Sequence, residues 1–121
     1  MPKKKTVLVV DDEVGPRETL RMILAPFYEV HTASDGEEAL RLLAGKDIDL
    51  VTTDLKRPGL SGIEFLKEIK RYWPNMEVII ITAYGSLADA KEAIHYGAGA
   101  FISKPFLPQE IISAVEKILQ P

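Results

Sequence analysis

Thr6-Val7-Leu8-Val9-Val10-Asp11-Asp12-Glu13 runs from four consecutive apolar residues straight into three acidic ones. A short run rich in β-branched side chains and bounded by polar residues reads as a buried strand. The acidic triplet then stands where that strand ends. Four further runs have the same character: 28–32, Leu50–Thr53, 78–82 and Ala100–Ser103. Between and after them the apolar residues recur at spacings of three and four, which puts each set on one face of a helix. The sets are Leu20, Ile23, Leu24 and Phe27; Ala39, Leu40 and Leu43; Ile63, Leu66, Ile69 and Trp73; Leu87, Ala90 and Ile94; and Ile111, Val115 and Ile118. Pro16 suits a first helical turn, Ser34 or Asp35 can cap the second helix, and Ser86 can cap the fourth. Gly45 and Gly97 stand where helices should stop, and Pro74 follows the third. Strict alternation of strand and helix implies an α/β fold with a parallel sheet covered by helices on both faces. Right-handed crossovers leave few topologies for it. No repeat, low-complexity segment or internal linker interrupts the pattern.

The bulk properties narrow the class of function. The 121 residues fit one compact domain, spanning 1–121. With 46% hydrophobic and 27% charged residues the chain has the composition of a globular domain. There are no cysteines, which excludes thiol catalysis, thiolate metal sites and a disulfide framework. Against 15 basic side chains stand 18 acidic ones, so the net charge of -3 argues against direct binding of nucleic acid. The one basic cluster, Lys3-Lys4-Lys5, reads as a solvated tail. No apolar stretch approaches the roughly 20 residues of a membrane helix. Met1-Pro2-Lys3 leads into the first strand without the apolar core of a signal peptide, and a cytoplasmic location is expected. The end at Gln120-Pro121 fits either a natural terminus or a break before a linker.

In an open parallel sheet, ligands bind outside the carboxyl ends of the strands. The first strand ends in Asp11-Asp12, the third in Asp54 and the fourth in Thr82, while the fifth leads to Lys104. Three carboxylates, a hydroxyl and one ammonium should converge on that rim. The second strand, near His31 and Thr32, brings nothing comparable and is expected at the sheet edge. Each residue alone has a plain structural explanation, as a cap, a loop polar group or a solvated side chain. Together the carboxylates would repel one another strongly, and Lys104 alone does not neutralise them. Oxygen-only donors with no His or Cys nearby suit a hard divalent ion such as Mg²⁺. A metal beside a carboxylate, with a hydroxyl and an ammonium close by, is equipment for phosphoryl transfer, in which the carboxylate can serve as nucleophile.

The pattern Val9-Val10-Asp11-Asp12-Glu13, Asp54-Leu55 with Pro58 and Gly62, Thr82-Ala83 and Lys104-Pro105-Phe106 resembles response-regulator receiver domains of bacterial two-component systems. The resemblance spans nearly the whole chain, in order and in spacing. It implies a flavodoxin-like (βα)5 fold with a five-stranded sheet of order 2-1-3-4-5. It implies that Asp54 accepts a phosphoryl group and is itself a ligand of Mg²⁺, that Asp12 binds the ion directly and Asp11 largely through water, and that the Lys56 backbone carbonyl completes the protein's contacts to it. Lys104 would pair with the phosphoryl group, Thr82 would hydrogen-bond one of its oxygens, and Phe101 matches the switch aromatic. The Lys104-Pro105 peptide is expected to be cis. The implied partner is a sensor histidine kinase, and the implied relay is the surface of the fourth helix, fifth strand and fifth helix. The stretches Thr82-Ala83-Tyr84-Gly85-Ser86 and Phe101-Ile102-Ser103-Lys104-Pro105-Phe106 are similar to receivers of enhancer-binding transcriptional activators. Those usually carry ATPase and DNA-binding output domains after the receiver, and a phosphorylation-dependent homodimer is the other partner to test for. No enzyme acting on a separate metabolite is implied, and no cofactor besides the metal.

The sequence departs from the family pattern at Arg57, where many members carry Met, and Lys56 places a second cation two residues past the acceptor. Phe101 lacks the hydroxyl of the commoner Tyr. A dehalogenase-type phosphatase would need an Asp at position 56, where this chain has Lys, and a nucleotide-binding domain would need a Gly-rich loop where Asp11-Asp12-Glu13 stands. The remaining alternative is an interaction module of the same fold that takes no phosphate. His31 and His95 read as structural, Trp73 as a cap on the core, and Tyr84 as a neighbour of the site. Ile112 and Leu119 fall partly outside the core stripe of the last helix.

Overall fold

The structure is a computed structural model that describes residues 4–55, 62–83 and 86–120. Five strands, β1 (Thr6–Val10), β2 (Glu29–Ala33), β3 (Leu50–Thr53), β4 (Glu77–Thr82) and β5 (Ala100–Ser103), alternate with five helices. These are α1 (Val14–Leu24), α2 (Gly36–Gly45), α3 (Gly62–Tyr72), α4 (Leu87–His95) and α5 (Pro108–Leu119). All pairings are parallel and the order is β2-β1-β3-β4-β5, as the resemblance implied. β2 lies at an edge, and its strand begins one residue later than the sequence suggested. The Tyr28 amide still closes the turn after α1 on the Leu24 carbonyl, and sheet pairing starts when the Glu29 amide reaches Lys5. β4 begins one residue earlier than expected, with Glu77 in register with Leu50.

The alternation of side chains divides the core in two. Leu8, Val10, Val51, Val78 and Ile80 face α2, α3 and α4, where they meet Ala39, Leu43, Phe65, Leu66, Ile69 and Ala93. Val7, Val9, Leu50, Ile79 and Ile81 face α1 and α5, against Leu20, Leu24, Ile111 and Val115. Burial on both faces is why the central strands read as unbroken apolar runs. Phe65, which the periodicity of α3 had not singled out, is fully buried in the first layer. Phe27, assigned to the face of the first helix, lies beyond its end and is 54% exposed. Pro26 precedes it and cannot extend the helical hydrogen bonding.

The helix ends follow local chemistry. Asp35 Oδ1 accepts from the Glu38 amide at 2.8 Å, which selects Asp35 over Ser34 as the cap of α2. Ser86 and Asp89 cap α4 reciprocally, each side chain accepting from the other's amide. The last turn of α4 gives way to Gly97 at φ +101°, a conformation that L side chains rarely adopt.

α4 is the main departure from the expected packing. Leu87 and Ile94, expected on its core face, are 73% and 51% exposed, and only Ala93 is fully buried. The residues that sink into the first layer are the small ones, so the helix sits shallow. At its carboxyl end α3 holds it by long side chains instead. Lys67 Nζ lies 4.3 Å from the centre of the Tyr96 ring, a cation–π contact. Lys70 donates to the Met76 carbonyl at 2.5 Å while its carbon chain passes beside Gly97.

One buried polar atom among the described residues lacks a hydrogen-bond partner, the hydroxyl of Thr52. It points into the second layer, between Val9 on β1 and Ile79 on β4. Replacing that hydroxyl with a methyl group removes an unsatisfied donor and acceptor at nearly constant volume. Thr52→Val is therefore expected to stabilise the domain by about 1 kcal/mol. A urea titration checks this: the midpoint should rise with an unchanged slope, and a lower midpoint would show that the hydroxyl is satisfied.

Candidate functional site

Because both faces of the sheet are buried, polar chemistry gathers where the strands end. Asp11 follows β1 and is almost wholly buried, as is Asp54 after β3, and Thr82 at the end of β4 is completely so. The chain past β5 keeps its pairing for one more residue, since the Lys104 amide donates to the Thr82 carbonyl at 2.9 Å. That bond aims Lys104 back across the rim. The Lys104-Pro105 peptide beyond it is cis, as the resemblance implied.

The side chains then meet. Lys104 Nζ donates to Asp54 Oδ2 at 2.8 Å and to Asp11 Oδ2 at 3.1 Å. Thr82 Oγ1 donates to Asp54 Oδ1 at 2.7 Å. Asp54 thus accepts from an ammonium on one oxygen and a hydroxyl on the other. Burial of Lys104 works to lower its pKa, but its bonds to Asp54 and Asp11 outweigh that, and the ammonium is held above the ordinary lysine value of 10.5. Phe101 of β5, in register with Ile80 of β4, is half-buried and packs on the layer that carries α2, α3 and α4.

Asp11 is fixed at every polar atom. Its amide donates to the Ala33 carbonyl at 3.1 Å, and Oδ1 accepts from the Glu13 amide at 3.0 Å. Its carbonyl accepts from Arg17 Nη1 at 2.8 Å. Asp11, Asp12 and Glu13 bring carboxylate oxygens within 4.8 Å of one another, Asp11 buried and the other two exposed. Oxygens on opposite sides of a Mg²⁺ ion lie about 4.2 Å apart, given bonds of about 2.1 Å. Small rotations of the exposed Asp12 and Glu13 span the difference, so an all-oxygen donor set for a hard cation is present.

Of the residues expected from sequence, Thr82, Asp54, Lys104 and Asp11 form one hydrogen-bonded chain in that order, and Asp12 stands exposed beside Asp11. Lys56, Arg57, Pro58 and Tyr84 lie outside the described residues. Sequence reasoning had not assigned roles to Glu13, Arg17 and Gly62. Glu13 belonged to the quoted acidic run, whereas Arg17 looked like any charge on a helix. Gly62 is required by a close approach. A Cβ there would stand 2.5 Å from the Leu55 Cα and closer still to the Asp54 carbonyl oxygen. The Gly62 amide donates to the Leu55 carbonyl at 2.9 Å, so the first turn of α3 leans directly on the backbone of the Asp54 loop.

Residues 7–116 match the sequence model of the response regulator receiver domain. The sporulation initiation phosphotransferase F of Bacillus subtilis is 40% identical over 114 residues, which cover 93% of this chain and 92% of that protein. The hydrogenase transcriptional regulatory protein HoxA of Cupriavidus necator is 35% identical over 119 residues, or 98% of this chain. The chain spans only 25% of HoxA's length, and from 24% to 49% of other transcriptional regulators that it matches. A solved receiver domain protein from Clostridium thermocellum superposes with a TM-score of 0.89 at 37% identity, covering 95% of this chain and 94% of that one. No helix of the described residues is long and apolar enough to cross a membrane.

Two outcomes follow from the geometry. Gly62→Ala should destabilise by about 1–3 kcal/mol, because the added methyl runs into the Asp54–Leu55 backbone; an unchanged denaturation midpoint would refute the close approach. Lys104→Met strands two buried carboxylates and should lower stability by about 3 kcal/mol in metal-free buffer at pH 8. Since folding raises the Lys104 pKa, the stabilisation is fully present below 10.5 and is lost as pH climbs through the raised value. The gap between parent and variant should therefore close above that pH, as followed by chemical denaturation along a pH series.

Proposed function

The chain belongs to the response regulator receiver domain family, whose members are phosphoryl-accepting signalling switches, and on that premise we propose that Asp54 is its phospho-acceptor. The observation that carries the assignment is the bonding of the Asp54 carboxylate, buried at the rim between the Thr82 hydroxyl and the Lys104 ammonium. Both donors are placed to follow charge from the carboxylate to an incoming phosphoryl group.

The step can be written from the residues. An Asp54 oxygen attacks phosphorus, giving up its bond to Thr82 or Lys104, and the bond from phosphorus to the donor's leaving atom breaks. Lys104 and Thr82 turn to the phosphoryl oxygens, where developing negative charge replaces that of the carboxylate. Asp11, Asp12 and Asp54, with the Lys56 carbonyl, are the proposed ligands of Mg²⁺, which when bound would supply charge neutralisation at the phosphoryl oxygens. Glu13 stands in the same acidic group. The phosphoryl donor is a sensor histidine kinase or a small acyl phosphate. Water later cleaves the acyl phosphate, so the domain resets itself and turns over no separate metabolite.

Loss of the Thr82–Asp54 bond alters the end of β4, and Phe101 lies one strand away on the layer beneath α4. The reading therefore sends the signal through α4, β5 and α5, where Leu87 and Ile94 already present apolar surface. The effect is a population shift, bounded by how differently the two states hold phosphate. A cytoplasmic domain of this kind, residues 1–121, would act on ATPase and DNA-binding output domains of a longer regulator or form a homodimer on phosphorylation. The greater length of HoxA supports an output partner.

Intact mass after incubation with acetyl phosphate tests the core of this reading. One phosphoryl group should be gained with Mg²⁺ and none with chelator or in Asp54→Ala. A gain that persists in Asp54→Ala would reassign the acceptor. No gain under any condition, even with a purified kinase, would favour an interaction module that takes no phosphate.

A further inference from the structure

We propose that Arg17 is a positioning residue for the divalent cation, acting through the peptide that joins Asp11 to Asp12. This rests on the reading of those two carboxylates as cation ligands. The Asp11 carbonyl belongs to that peptide, and Arg17 Nη1 donates to it at 2.8 Å. On the other side of Asp12, the Glu13 amide is held by Asp11 Oδ1 at 3.0 Å. The two peptide planes flanking Asp12 are therefore each pinned, one by a guanidinium and one by a carboxylate. A peptide plane fixed on each side fixes the direction in which the Cα–Cβ bond leaves the chain. Asp12 itself is exposed and gains no orientation from packing.

The position of Arg17 is set by the start of α1. Its own amide donates to the Glu13 carbonyl at 3.2 Å, opening the helix, and its side chain folds back over the same turn to reach Asp11. Glu13 precedes the helix without offering a side-chain cap. The turn Asp11-Asp12-Glu13 thus depends on bonds reaching in from Ala33, Lys104 and Arg17 rather than on a helix cap. Arg17 is the only one of the three that bonds the peptide next to Asp12.

Charge and geometry make opposite demands at this residue, and that makes the role testable. A guanidinium bonded to the backbone of the turn that carries the three carboxylates repels an incoming cation, so on charge alone its removal would tighten binding. If Arg17 acts by orienting the Asp11–Asp12 peptide, its removal loosens the donor set and weakens binding. Groups that orient ligands from outside the coordination shell typically contribute 10- to 100-fold to metal affinity.

The experiment is calorimetric titration of Mg²⁺ into the unphosphorylated protein at fixed ionic strength, for the parent, Arg17→Met, Arg17→Lys and Asp12→Asn. The expected result is at least a tenfold weaker dissociation constant in Arg17→Met, with Arg17→Lys recovering part of the loss. Each variant's urea midpoint is measured without metal, since a merely structural role would lower the midpoint and leave the affinity alone. Unchanged or tighter Mg²⁺ binding in Arg17→Met would overturn the proposal. Should Arg17→Met not fold, Arg17→Gln also removes the charge and is too short to keep the bond, and the same two outcomes decide. The reading beneath is tested separately: a parent that binds Mg²⁺ as weakly as Asp12→Asn would refute the ligand assignment, and the role of Arg17 with it.

Discussion

The ammonium of Lys104 reaches from the end of β5, at one edge of the sheet, to carboxylates at the ends of β3 and β1 near its centre. Both carboxylates are nearly excluded from water, and their mutual repulsion in that setting would oppose the approach of the strands that carry them. The Lys104 bridge offsets that repulsion. It also ties the loop after β5 to the middle of the sheet, while the Lys104 amide continues the β4–β5 pairing from the other direction. A cation bound at Asp11, or any covalent change at Asp54, would alter this one bridge. The rest of the rim is arranged around it.

The sheet makes such a bridge possible. With apolar layers on both faces, the central strands can show polar groups only where they end, and parallel strands all end on the same side. Two polar residues that close their strands show how the rim meets that pressure. Thr53 turns its hydroxyl to the Asp54 carbonyl at 3.3 Å, and Thr82 gives its own to the Asp54 carboxylate. Gly62 serves the same end from the helix side, since only a residue without a Cβ lets α3 begin against the Asp54 backbone.

Much of this was legible in the chain. Alternating apolar runs and helical periodicities gave the strand count and the class. The residues directly after the runs gave Asp11, Asp54, Thr82 and Lys104, because strand ends are fixed by where β-branched residues stop. The order of strands came from resemblance, since periodicity carries no information about which strands are neighbours. What escaped were relations between distant backbones. Nothing in Gly62 or Arg17 as letters announces that one must clear the Asp54 loop and the other must reach a carbonyl. The packing of α4 was misjudged for a related reason. Its large apolar residues suggested an inward face, yet the space against β4 and β5 accepts only Ala93, so Leu87 and Ile94 turn outward.

That shallow seat separates two kinds of constraint along the chain. Substitutions at Asp11, Asp54 or Lys104 break the buried bridge at the rim, whereas most of the outer surface of α4 touches neither the core nor the rim. Its attachment relies on one small buried residue, a capped start and two lysines from α3. Mutations can therefore accumulate on that helix while the core and the polar rim are left intact.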